Sequence, residues 1–172
     1  MALTTVVPNG NGTNGANFEN IDEGTTSPND ADYFEVTAPN SLTRFFLLGD
    51  MPGDFDVATA VTIKSRHART GSKGDFISWT TMRLYQSDET TVITADNTLT
   101  STTTITTETF TPTITGGTSK TIWDGARIGY QTDAGTANTV RLYALQVEIT
   151  YTAAAQSQAP RSMQVYRQWR MI

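Results

Sequence analysis

Threonine constrains this chain more than any other feature, filling 33 of its 172 positions. Its β-branched side chain is stiff about χ1, which disfavours it in helices and favours it on pleated, half-solvated surfaces. The chain therefore reads as all-β. Only 37% of the residues are hydrophobic, which is enough for one packed core in a chain of this length. One domain with polar ends is the expectation.

Composition removes several function classes. Cysteine is absent, which excludes disulfides, thiolate zinc sites and cysteine nucleophiles. The single histidine, His67, excludes a multi-histidine metal cage. No apolar run approaches the length of about 18 residues that a membrane helix needs, and residues 1–15 lack the charged start and apolar stretch of a secretory signal. Neither a membrane partner nor a Sec address is expected.

Charge is sorted along the chain. The formal net charge is −5, yet all 17 acidic residues fall within 1–152, where nine bases leave that part at −8. Residues 153–172 hold Arg161, Arg167 and Arg170 and no acid. Six acids (Glu19, Asp22, Glu23, Asp30, Asp32 and Glu35) precede the first base, Arg44. An acidic front and a basic tail attract one another between copies of the chain, and such complementarity sets register and encounter rate more than affinity. The densest basic group, Lys64, Arg66, Arg69 and Lys73, surrounds a turn with Asp75 beside it. Phosphate backbones call for a clustered basic face, so no nucleic-acid partner is expected.

Short alternating runs broken by turn residues point to an antiparallel two-sheet β-sandwich. Nine strands are expected: Ala16–Ile21, Tyr33–Thr37, Thr43–Leu48, Thr59–Ala68, Asp75–Gln86, Thr90–Thr94, Leu99–Phe110, Lys120–Tyr130 and Val140–Thr152. In the last, Tyr143, Leu145, Val147, Ile149 and Tyr151 share one side. In the Thr59–Ala68 run, Val61 and Ile63 point inward while Thr62, Lys64 and Arg66 point outward. Within 121–130 the core side is open between the Ile128 and Trp123 phases. The Thr-rich stretch 98–118 is expected at a sheet edge or a subunit contact, since Pro112 cannot donate to an inner ladder.

Three parts result: an arm at 1–17, a β-sandwich domain at 18–152, and a linker with a C-terminal arm at 153–172. Residues 1–17 are rich in Gly and Asn, with little apolar surface to offset the entropy of ordering them. The C-terminal arm collects Arg161, Met163, Val165, Tyr166, Arg167, Trp169, Arg170, Met171 and Ile172. Aromatic, Met and Arg residues are enriched where proteins bury surface on one another, so these nine are the candidate interface. Docking of the tail on its own sandwich is the alternative. Its spacing fits helix and strand alike.

No catalytic, cofactor-binding or metal-ligating set stands out. The acid-rich stretch 21–33 and the group Asp50, Asp54 and Asp56 could offer oxygens to calcium, but neither has the spacing of a calcium loop and both read as solvated turns. No pair of carboxylates can be placed across a cleft as a glycosidase needs. No Ser-His-Asp order involves His67, which is expected on a sheet surface or interface. Trp79, Tyr85, Trp123, Tyr130 and Tyr143 would stack on sugar rings if exposed and form core if not.

Four stretches carry a resemblance. Phe18-Glu19-Asn20-Ile21-Asp22-Glu23, Asp30-Ala31-Asp32-Tyr33, Leu47-Leu48-Gly49-Asp50-Met51-Pro52 and the closing run from Val140 to Tyr151 resemble a β-sandwich module of tailed-bacteriophage virion proteins over residues 18–152. The resemblance implies a jelly-roll-like sandwich, here with extended N- and C-terminal arms, and brings no catalytic residues or cofactor. It implies a non-enzymatic structural protein of the virion, assembled in the bacterial host cytoplasm. A capsid decoration or cement protein that stabilises the shell through its arms is expected first. Its partners would be its own copies and the major capsid protein or another virion protein. The alternative is a tail fibre or baseplate module that binds host surface glycan. The absence of cysteine suits assembly in a reducing cytoplasm, and the threonine surface suits a solvated exterior.

Overall fold

The computed structural model describes residues 1–71 and 77–155. Its strands are β1 (Ala2–Val6), β2 (Pro8–Asn11), β3 (Phe34–Thr37), β4 (Thr43–Leu48), β5 (Phe55–Arg69), β6 (Trp79–Tyr85), β7 (Asn97–Thr98), β8 (Thr106–Phe110), β9 (Arg127–Thr132) and β10 (Thr139–Ala153). A one-turn helix, α1 (Lys120–Trp123), precedes β9. All strand pairings are antiparallel, in two five-stranded sheets. One runs β1-β10-β5-β8 with β3 also on β10, and the other runs β2-β4-β9-β6-β7. Taken from β3 onward, the orders β3-β10-β5-β8 and β4-β9-β6-β7 are those of an eight-stranded jelly roll built from two Greek keys. The expected all-β, two-sheet sandwich is the observed architecture.

The core lies between the sheets, where strand alternation sends every second side chain. Val61 and Ile63 from β5, Phe46 and Leu48 from β4, and Ile128 and Tyr130 from β9 all enter it. Trp123 joins them from α1 and is fully enclosed. Each fully buried large aliphatic or aromatic side chain contributes about 1.5–3 kcal/mol.

The N-terminal segment differs from its expected role as an arm. β1 lies along β10 from Ala2↔Tyr151 to Val6↔Val147, and β2 lies along β4. The first eleven residues thus extend both sheets. Backbone pairing satisfies polar groups regardless of side-chain composition, and Val6 and Pro8 supply buried anchors. The gap that β1 and β3 leave on the edge of β10 is closed by Ile21, whose carbonyl accepts from Leu145 N–H at 3.2 Å. Ile21 itself is wholly buried.

Several expected strands are shorter or absent. The strand expected at Ala16–Ile21 is instead a 3-10 turn at Phe18–Asn20, entered through Asn17 at φ 51°; asparagine tolerates that left-handed conformation better than most residues. The strand expected at Leu99–Phe110 is confined to β8, because Thr102 and Thr104 bond to each other locally in competition with a ladder. Thr90–Thr94 forms only single bridges at Val92 and Thr94. Lys120–Tyr130 splits into α1 and β9, the helical turn carrying a Lys120–Asp124 ion pair of 2.7 Å. β8 ends its sheet, as the edge reading of the Thr-rich stretch anticipated.

In β10, a bulge between Leu142 and Ala144 shifts the phase. Val140 and Leu142 face the core on one side of it and Leu145, Val147, Ile149 and Tyr151 on the other. Tyr143 is thereby removed from the core set in which strict alternation put it. Its ring packs edge-on against Tyr33 at 5.6 Å.

Candidate functional site

The nine candidate interface residues, Arg161, Met163, Val165, Tyr166, Arg167, Trp169, Arg170, Met171 and Ile172, lie outside the described residues. The described chain ends just past β10. There Ala154 N–H donates to Asp54 O at 2.8 Å, next to the start of β5.

The acid-rich stretch 21–33 is a strap across the sheet that holds β5 and β10. The Gln146 side-chain carbonyl accepts from Thr25 N–H and Oγ at 3.1 and 3.2 Å. Farther along, Arg66 donates through Nε and Nη2 to both oxygens of Asp30, at 2.6 and 2.5 Å. That bonding holds the Asp30 carboxyl below its usual range, against a smaller opposing effect of desolvation. At the strap's end the Arg141 guanidinium sits 4.2 Å from the Tyr33 ring centre and binds Glu35 at 2.6 Å. Asp32 takes the Asn29 amide. Among the described residues no group of three or more His, Asp or Glu could hold a metal ion.

The aromatics that would stack on sugar are committed elsewhere. Trp79, Trp123 and Tyr130 belong to the core. Tyr85 packs edge-on against Phe45 at 5.1 Å, and Tyr143 against Tyr33. None of the five is more than 8% exposed.

His67 is inside the sandwich, not on a sheet surface, because it shares the strand phase of Val61 and Ile63. It is 1% exposed. One ring nitrogen faces Ser65 Oγ at 3.3 Å; the other lies 3.1 Å from Thr100 O and 3.4 Å from a Glu108 oxygen. The order serine, histidine, carboxylate is present in space, but Ser65 is fully enclosed. The cavity beside His67 is about 10 Å³, room for one water and nothing larger. Across from Ser65's strand, burial pushes the Tyr130 phenol well above its usual value, tempered by Ser65. The Tyr130 hydroxyl makes no hydrogen bond of ordinary geometry.

Open clefts also occur among the described residues. One, of about 480 Å³, follows β5 where β8 stops, between Ala58–Thr62 and Thr111–Ile114. Its walls carry Thr, Ala, Val, Pro and Ile and no titratable group. Another, of about 390 Å³, opens where β3 of one sheet and β4 of the other approach, with Arg44 in its wall. Sequence reading did not single out Arg44. Its signal was its shared phase with Phe46 and Leu48, which places a cation on an inward-facing position. Comparison with protein-family models, curated proteins and solved structures returns no match to this chain.

Proposed function

We propose that this chain is a non-enzymatic structural component of a tailed-phage virion, a capsid decoration or cement protein. The sandwich serves as the structural body, and the C-terminal segment joins it to its own copies and to the major capsid protein. The reading is supported by one observation above others: among the described residues, most of the body's basic side chains are spent on the body itself. Lys64, Arg66, Arg83, Lys120, Arg127 and Arg141 each pair with a carboxylate of the same body. The Arg, Met and Trp of 161–172 form the chemically distinct stretch left over for recognition. The jelly roll suits the role but does not carry it, since lectins and capsid proteins alike use that architecture. With β1 and β2 built into the sheets, attachment rests on the C-terminal segment alone of the two expected arms. Many copies on one shell would compensate for modest affinity at each contact.

Cryo-electron microscopy of phage particles assembled with the chain tests the reading. Density for the sandwich at regular positions on the shell is the expected result. Particles that carry no such density, although the protein is abundant and folded in the same lysate, would refute it.

A further inference from the structure

Strand phase turns Arg44 the same way as Phe46 and Leu48, into the space between the sheets. It is 4% exposed. A guanidinium in such a place ordinarily has a carboxylate beside it, because an unpaired buried charge is costly. Arg66, Arg83, Arg127 and Arg141 each have one. Arg44 has none among the described residues. Its Nη1 donates to Leu42 O at 2.7 Å and to Thr132 Oγ at 3.3 Å, both neutral. Nε and Nη2 find no acceptor among the described residues. Burial alone pushes the group below its usual pKa, and it remains a cation.

The cleft beside it has the dimensions of a small-molecule site: about 390 Å³, within the usual range of roughly 300–1,000 Å³. Its wall combines Arg44 with Asn14, Thr37 and Asn40, and with Leu42, which is 48% exposed. Glu35 also borders it, but its carboxylate is held by Arg141 at 2.6 Å. A planar guanidinium edge matches a carboxylate through two parallel hydrogen bonds. Amide and hydroxyl side chains suit ring hydroxyls, and an exposed leucine suits the apolar edge of a pyranose. A single cation with Glu35 nearby favours a monoanion over a phosphate dianion.

We propose that the Arg44 cleft binds a carboxylate-bearing sugar residue of the uronic or sialic acid kind, with the carboxylate on Arg44. The site is independent of how the sandwich attaches to a particle, so either proposal can fail alone. It also differs from the stacking site expected from the aromatics, which are buried.

Isothermal titration of the full chain with glucuronic acid and N-acetylneuraminic acid, against glucose and acetate, tests it. At least one sugar acid should bind with a Kd of about 1 mM or tighter, and glucose and acetate at least tenfold more weakly. Arg44→Gln should abolish binding. Asn40→Asp, a change at the rim that places a negative charge beside the carboxylate, should weaken it about tenfold even if Arg44→Gln fails to fold. Absence of binding by both sugar acids, equal binding of glucose or acetate, or full affinity in Asn40→Asp would overturn the proposal.

Discussion

Replacing Asp30 by Asn tests whether the acidic strap is a structural tie. The native pair makes two short contacts, 2.6 and 2.5 Å, with side chains 39% and 21% exposed. Two unit charges about 4 Å apart attract by about 1 kcal/mol in water and by about 4 kcal/mol at an effective dielectric of 20. Partial exposure and the entropy of fixing Arg66 pull the net value toward the lower figure, so a loss of about 1 kcal/mol is expected. That corresponds to a fall in Tm of about 2–4 °C. The effect should depend on pH. The Asp30 pKa is depressed in the folded state, so its contribution is complete above the unfolded carboxyl value of about 4 and fades as pH falls through the folded value. Urea unfolding followed by tryptophan fluorescence at pH 7, 5 and 3 reads this directly. Wild type and Asp30→Asn should differ equally at pH 7 and 5 and converge toward pH 3. An Arg66→Gln cycle should give a coupling of about 0.5–1 kcal/mol at pH 7. A difference that persists or grows at low pH, or zero coupling, would refute the strap as an electrostatic tie.

Further expectations concern the body. Val6→Asp places a carboxylate where Val6 is 7% exposed and should cost about 3 kcal/mol in urea unfolding; no loss would mean that β1 is a detachable arm. Tyr130→Phe removes a buried hydroxyl without an ordinary hydrogen bond, so stability should hold or rise by up to about 1 kcal/mol. A clear loss would reveal a hidden partner for that group.

Alternation made much of the sandwich legible. The Thr43–Leu48 strand and the inward turn of Val61 and Ile63 were readable because one buried face imposes a period of two. Carried four residues past Ile63, the same alternation puts Ser65 and His67 inside, where both are buried. Tyr143 was misplaced because a bulge carries no compositional mark of its own. β1 and β2 were missed because edge strands are held by backbone pairing to distant partners, β10 and β4, which local composition does not report. The charge on Arg44 was visible, but its lack of a carboxylate neighbour among the described residues was not, because that is a property of tertiary packing. The strap's acids read as a solvated turn in sequence because Arg66, which ties Asp30 down, lies 36 positions from it.

Attachment through the C-terminal segment is tested most directly by cosedimentation with phage shells that lack the protein. The full chain should pellet with the shells, and a variant ending at Ala155, folded by its tryptophan fluorescence and unfolding midpoint, should stay in the supernatant. Equal pelleting of the two would contradict attachment through residues 156–172.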